Sequence, residues 1–313
     1  MRVVVAGATG CVGRRLVPAL LSAGHEVAAL TRDPTAPRAA ALADREGVSL
    51  HRCDLLEGPP RLPAADAGYY LVHSLDSGGG YADRDRRAAR AFAAAAAAAG
   101  LDRVVYLGGL GPEQRLAGHL RSRRAVEADL ATGDYRLVSL RAAIVLAPDS
   151  EGFRLLADCS RLRVVPAPRA ITTPCQPVAV ADAVRYLVGA LSLPAEGAAT
   201  AYGIGGPEVL GYDDLLRRTA AAAGRRLLVC PVPGVGLSAA ARALGLVTDV
   251  SADVVGPLVR SLPVPAVVTD DAVREHLPFE RTPLDDALRD ALEGAAVTAP
   301  PENTAGPTPA GSR

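Results

Sequence analysis

The sequence predicts an α/β fold: a doubly wound parallel sheet with a small C-terminal lobe. Three observations carry the prediction. Short apolar runs alternate with longer Ala/Arg-rich amphipathic stretches through the first half. A glycine-rich turn stands between the first apolar run and the first amphipathic stretch, and beyond about residue 146 the alternation breaks into Pro-rich pieces.

Strands are expected at 2–6, 26–31, 48–53, 69–73, 104–107 and 136–140, where β-branched and aromatic residues concentrate. Helices are expected between them at 13–22, 36–45, 82–99 and 120–130, and after the sixth strand at 153–159. The alanine run 93–99 reads as a plain helix end, because Ala is the best helix former and Gly100 suits the position after the last turn. Arg84, Arg86, Arg87 and Arg90 are interleaved with acids and read as a solvated helix side. Later elements are a strand near 201–204 and helices near 180–191, 212–223 and 284–292. The expected organisation is a nucleotide-binding core at 1–145, the last strands interleaved with a substrate lobe at 146–296, and a disordered Pro/Thr/Gly-rich tail at 297–313.

With 313 residues and 49% hydrophobic content, the chain can bury a large core, which excludes disordered, collagen and coiled-coil readings. Lys+Arg 34 balances Asp+Glu 34, so the positive field that nucleic-acid binding requires is missing. No lysine occurs, which excludes a Walker-type lysine, a Schiff base and any Tyr/Lys catalytic pair. Five widely spaced cysteines without a C-x-x-C pair argue against a disulfide or zinc framework, and no metal site is expected. No apolar run approaches the roughly 18 residues of a membrane span, and the N-terminal run is too short for a signal peptide. A cytoplasmic protein is expected.

Gly7-Ala8-Thr9-Gly10-Cys11-Val12-Gly13 follows a strand and opens a helix. In that context Gly7 permits the tight turn, Gly10 lets the backbone approach a pyrophosphate on the helix N-terminus, and Gly13 lets the helix pack on the sheet. The turn defines a Rossmann-type site, with Thr9, Cys11 and Val12 completing the predicted cradle. Cys11 has two readings: a thiol activated by the helix N-terminus, or a small residue tolerated beside the nucleotide. At the end of the second strand, where an NAD site places a carboxylate, stands Arg32. A guanidinium can hold the 2′-phosphate of NADP(H) in a bidentate manner, with Arg14 assisting; Asp33 follows as a competitor, so NAD(H) is the second choice. Asp54 is a candidate for the adenine amino group or a turn cap, and Leu71 is expected beside the cofactor.

Together the GATGCVG turn, Tyr69-Tyr70-Leu71-Val72-His73-Ser74, Val104-Val105-Tyr106-Leu107-Gly108-Gly109-Leu110, His119-Leu120-Arg121-Ser122-Arg123, Leu140-Arg141-Ala142-Ala143-Ile144-Val145 and Ile204-Gly205-Gly206-Pro207-Glu208 resemble the atypical short-chain dehydrogenases/reductases of the NmrA-like, NAD(P)H-binding branch. In active enzymes of that kind a Ser closes the fifth strand and Tyr-x-x-x-Lys follows on the next helix. Here Gly108-Gly109 and His119-x-x-x-Arg123 stand in those places. The resemblance implies that Arg123 keeps the nicotinamide-ribose contact. His119, with an ordinary pKa near 6.5, is either the proton donor or a helix-start polar residue. His73 and Ser74, at the carboxyl edge of the fourth strand, are expected to flank the nicotinamide ribose, as alternative donors or as structural groups. The loop 77–81 has the glycine content of a lid, with Tyr81 covering substrate. The leading expectation is an NADPH-dependent reductase of a carbonyl, enone or quinone small molecule. The alternatives are a non-catalytic NADP(H) sensor and an accessory subunit, with a homodimer or protein partner.

Overall fold

The structure, a computed structural model, describes residues 1–58, 60–73 and 80–298. The first half runs β1 (Arg2–Ala6), α1 (Gly13–Ser22), β2 (Glu26–Thr31), α2 (Pro37–Ala43), β3 (Val48–Arg52), β4 (Ala67–Tyr70), α3 (Tyr81–Ala98), β5 (Arg103–Gly109), α4 (Gly118–Leu130) and β6 (Arg136–Ala142). There follow β7 (Val145–Leu146), α5 (Glu151–Ser160), β8 (Val164–Ala167), β9 (Pro174–Cys175), β10 (Val178–Ala179), α6 (Val180–Gly189), β11 (Ala199–Ile204), β12 (Leu210–Gly211), α7 (Tyr212–Ala222), β13 (Leu228–Pro231), α8 (Leu237–Val247), α9 (Ala252–Ser261), α10 (Ala272–His276) and α11 (Leu284–Thr298).

Seven strands form one parallel sheet in the order β3-β2-β1-β4-β5-β6-β11, as the sequence predicts for a doubly wound fold. The order reverses between β1 and β4, which opens a crevice at the carboxyl ends of those two strands. Val3, Val4 and Val5 are fully buried, because helices cover both faces. On one face Leu16, Val17 and Leu20 of α1 pack with Tyr186 and Leu187 of α6. On the other, Phe92 of α3 and Val126 and Leu130 of α4 pack on Tyr70 and Tyr106. Phe92 lies 5.2 Å from the Tyr70 ring centroid, and Gly68 of β4 makes room for it: a Cβ there would stand 3.2 Å from Phe92 Cζ.

The second lobe has its own core, built from Phe153, Leu156, Ile171, Leu215, Leu216 and Leu288 among others. Three two-stranded pairings, β7–β10, β9–β12 and β8–β13, brace it, while α6 and β11 return to the main sheet. α8 and α9 pack on each other around Val250, Val254, Val255 and Val259. Neither helix nor α10 is anticipated from the sequence: α8 is flanked and interrupted by glycine, and α9 carries Pro257 inside it.

Two further elements differ from expectation. β4 begins at Ala67 and ends at Tyr70, so His73 lies in a loop beyond the strand; Leu71 N–H still bonds to Ala6 O at 2.9 Å. α11 continues to Thr298, past both the expected helix end at 292 and the start of the expected tail at 297. Gly294 resembles a stop signal, yet it is where the helix passes Pro148: a Cβ there would stand 2.5 Å from Pro148 Cγ. The rest of the expected tail, 299–313, lies outside the described residues.

Removal of the fully buried Phe92 ring tests the sheet–α3 packing. Phe92→Ala is expected to lower the unfolding free energy by about 3–5 kcal/mol, read as a lower urea midpoint. A change within about 0.5 kcal/mol, typical of surface positions, contradicts the packing described.

Candidate nucleotide site

The turn after β1 is built on close backbone approach. Gly7 has φ +87°, a left-handed conformation, and a Cβ there would stand 3.0 Å from the Leu71 carbonyl carbon and oxygen. Gly13 passes so close to the turn that its Cβ would stand 2.1 Å from Gly7 O. Any side chain at Gly13 would push α1 off the sheet. Gly10 is exposed at the turn's crest, its N–H bonded to Gly7 O at 3.0 Å. α1 begins with no side-chain cap on its first turn. A helix start without a side-chain cap, reached over a glycine crest, fits an anionic pyrophosphate. Gly7, Thr9, Gly10, Cys11, Val12 and Gly13 are the residues that would hold it.

One expectation about this turn is corrected, and one of the two readings of Cys11 is set aside. Arg14 does not extend toward a 2′-phosphate: Arg14 Nη2 and Arg15 Nη1 each stand 2.8 Å from an oxygen of Asp149, in the loop between β7 and α5. Arg15 Nη1 also donates to Cys11 O at 2.6 Å. Cys11 is not an activated thiol, because burial pushes its pKa up to about 12 and the Asp149 carboxylate adds to the rise, outweighing Arg15 and Arg14. The same arginines hold Asp149 below the ordinary carboxylate range against its burial.

At the end of β2, Arg32 is exposed and forms no ion pair among the described residues. Asp33 is drawn into its own turn, where Oδ1 accepts from Thr35 N–H at 2.8 Å and Thr35 Oγ1 at 2.6 Å. Those bonds hold its carboxyl below the usual range. Asp54 Oδ1 accepts from Leu56 N–H at 2.8 Å, the turn-capping alternative of its two sequence readings.

Leu71 lies directly against Gly7, and His73 is exposed two residues beyond it, at the carboxyl edge of the sheet. Ser74 and residues 77–79 of the expected lid lie outside the described residues. Tyr81 opens α3 and packs on the α8–α9 cluster.

His119 lies in the first turn of α4, with its imidazole against α9 and hydrogen-bonded to the Pro257 carbonyl. Burial, seconded by Arg123, lowers its pKa to about 4. This corrects the expectation of a donor titrating near 6.5: at neutral pH the ring is uncharged. One turn on, the Tyr106 hydroxyl donates to the Arg123 carbonyl at 3.2 Å, and the Arg123 guanidinium works against the rise that burial imposes on that phenol. Cβ atoms at Gly108 and Gly109 would stand 2.9 Å from Tyr106 Cε1 and 2.6 Å from Leu120 Cδ2. Those side chains fill the space where a strand-closing Ser would stand.

Two groups that sequence reading passes over complete the site. Asp149 is 134 residues from Arg15 and has no local motif. Arg124 donates to Gly109 O at 3.0 Å and Gly111 O at 3.1 Å, while the buried Glu127 receives Arg141 at 2.6 Å and Arg124 at 3.4 Å. This network fixes the loop after β5 at the crevice. Among the described residues no group of three or more His, Cys, Asp or Glu side chains could hold a metal ion, and no helix is long and apolar enough to cross a membrane.

Comparison with known proteins agrees with this geometry. Residues 7–144 match the NAD(P)H-binding family model. No curated protein matches the sequence. Among solved structures, a nucleoside-diphosphate-sugar epimerase from Staphylococcus aureus superposes with a TM-score of 0.71 at 12% identity, over 92% of this chain and 100% of that one. The Citrobacter sp. triphenylmethane reductase complexed with NADP(H) gives 0.70 at 18% identity, over 93% and 100%. The Thermus thermophilus UDP-glucose 4-epimerase in complex with NAD gives 0.66 at 18% identity, over 96% and 100%. Residues 7–144 are an NAD(P)H-binding domain, and the fold is the Rossmann-type fold of these epimerases and reductases. This agrees with the resemblance to atypical short-chain dehydrogenases/reductases read from the sequence.

The depressed His119 pKa has a stability consequence. The unfolded chain takes up a proton near pH 6.5 that the folded chain refuses until about pH 4, so folding stability declines as pH falls through that window. His25 and His51 are also lowered by burial and act in the same direction. His119→Gln is expected to flatten part of the decline in urea midpoints between pH 6.5 and 4; an unchanged slope contradicts the buried, neutral assignment.

Proposed function

We propose that the chain is an NADP(H)-dependent reductase acting on a carbonyl, enone or quinone small molecule, a cytoplasmic protein of the NmrA-like branch. The observation that carries the cofactor preference is the pairing of an exposed Arg32 with an Asp33 whose carboxylate is engaged by Thr35. An NAD site presents a carboxylate to the ribose hydroxyls at this edge; here the free group is a guanidinium suited to a phosphate. The Citrobacter triphenylmethane reductase, a structure with the same fold, was crystallised with NADP(H).

In this reading the glycine turn and the start of α1 bind the pyrophosphate, Arg32 binds the 2′-phosphate, and Leu71 and His73 line the crevice toward the nicotinamide. When bound, the cofactor supplies the hydride. Arg123 contributes positive charge beside β5, and the Arg124–Glu127–Arg141 network holds the loop that borders the substrate. With His119 neutral and committed to Pro257, the product proton comes from water at the open carboxyl edge, and His119 positions α9 against α4. A second reading, an NADP(H)-binding sensor, is favoured by the space beside Gly108-Gly109, which Tyr106 and Leu120 fill where a catalytic Ser would stand.

Fluorescence titration of the Arg32→Ala variant with NADPH and NADH tests the preference. NADPH affinity is expected to fall by about 10–100-fold, the loss of charge-assisted hydrogen bonds, with NADH nearly unchanged. Equal losses for both nucleotides contradict it. NADPH oxidation against a panel of quinones, enones and ketones separates the two readings: turnover supports the reductase, and tight binding without oxidation across the panel supports the sensor.

A further inference from the structure

The outer side of the second lobe carries a surface that the nucleotide site does not explain. Arg161, Arg163, Arg225 and Arg226, with Leu162, line an open cavity of about 420 Å³ between the ends of α5 and α7. Arg163, Arg225 and Arg226 are exposed and form no ion pair among the described residues, whereas Arg161 is shared by Asp158 at 3.4 Å and Asp249 at 3.9 Å. Beside them, Leu228 and Val164 are register partners in the β13–β8 pair and stand 58% and 52% exposed. Leu246 and Val247, at the end of α8, are 87% and 57% exposed. They reach the same region through Asp249, whose N–H bonds to Asp158 of α5 at 3.0 Å. Single exposed apolar side chains are ordinary, but two pairs flanking a cationic cavity are not scattered.

The sequence shows the same bias. From Arg225 to Thr248 there are three arginines and no acidic residue, and every other residue is uncharged. Apolar side chains projecting beside arginines suit the boundary between lipid headgroups and acyl chains. The chain's own end does not suit this surface, because residues 299–313 contain no Leu, Ile, Val, Met or aromatic residue to cover it.

We propose that this face, formed by the ends of α5 and α8 and by the β8–β13 pair, docks the protein on an anionic bilayer surface. Leu246, Val247, Leu228 and Val164 enter the headgroup boundary while Arg163, Arg225 and Arg226 meet lipid phosphates. The placement ties the face to the main domain: α8 packs on α9, and α9 packs on α4 at His119. The docking itself does not depend on whether the crevice is a reductase site.

The test is co-flotation of the full chain with vesicles of phosphatidylglycerol and phosphatidylcholine, against vesicles of phosphatidylcholine alone. The mixed vesicles are expected to carry the protein, the neutral ones not, and high salt to release it. Each arginine near an anionic surface is worth about fivefold in partitioning, so Arg225→Glu/Arg226→Glu should reduce binding by at least about tenfold. Leu246→Ser/Val247→Ser should reduce it as well. All four positions are exposed, and an unchanged circular dichroism melt confirms folding. No flotation of the wild type, or flotation unaffected by either double substitution, overturns the proposal. A concentration-dependent dimer that the Leu246→Ser/Val247→Ser variant abolishes, without vesicle binding, also overturns it and assigns the face to a second copy.

Discussion

The passage of α1 across the β1 turn sets the geometry on which the nucleotide site depends. With Gly13 so placed that a Cβ would meet Gly7 O at 2.1 Å, the helix starts directly on the sheet's edge. That start lies beside the reversal of strand order between β1 and β4. The positive φ of Gly7 and the Leu71 backbone, which a Cβ there would meet at 3.0 Å, fix the turn. An alanine at Gly13 would lift the helix start, and the donors would no longer converge on one anion. The proposed pyrophosphate site is thus a matter of backbone packing, and the side chains around it are free to serve other ends.

Those side chains tie the two lobes together. Asp149 takes both Arg14 and Arg15, bridging the start of α1 to the loop that leads into the second lobe. The group is half-buried, so removing the carboxylate would leave two guanidinium groups adjacent and only partly solvated, an arrangement costlier than losing an exposed surface pair. Glu127 serves the other flank, where it receives Arg141 and Arg124 while Arg124 holds the carbonyls of Gly109 and Gly111. In a chain without lysine, planar guanidinium groups do all of this work, and their several donors allow one arginine to bind a carboxylate and a backbone carbonyl together.

Much of the first half was legible because its signals are local. β1, α1 and β2 fall where alternation and the glycine spacing place them, and Arg32 at the end of β2 is exposed as its position implies. Long-range electrostatics was not legible. Nothing near Cys11 in sequence announces Asp149, the distant carboxylate that adds to burial in raising the thiol pKa and so decides between its two readings for the unreactive one. His119 was misread for the same reason: its spacing to Arg123 matches a catalytic pair, but the neighbour that settles its state is the Pro257 carbonyl on α9, a helix with an internal proline that sequence patterning does not reveal. The second lobe's two-residue strands are too short to carry any period of their own.

The central claim is that the backbone of the glycine turn, and not Arg14 or Arg15 beside it, holds the pyrophosphate of the proposed nucleotide. Isothermal titration calorimetry of NADPH into the wild type and the Gly10→Val variant tests it most directly, because Gly10 is exposed at the crest and a Cβ there would meet only Gly7 O, at 3.2 Å. The expected result is saturable one-to-one binding by the wild type and at least about a hundredfold loss in a variant that melts normally, the scale of several charge-assisted hydrogen bonds removed together. Wild-type affinity in a folded Gly10→Val protein would place the nucleotide elsewhere and contradict the account.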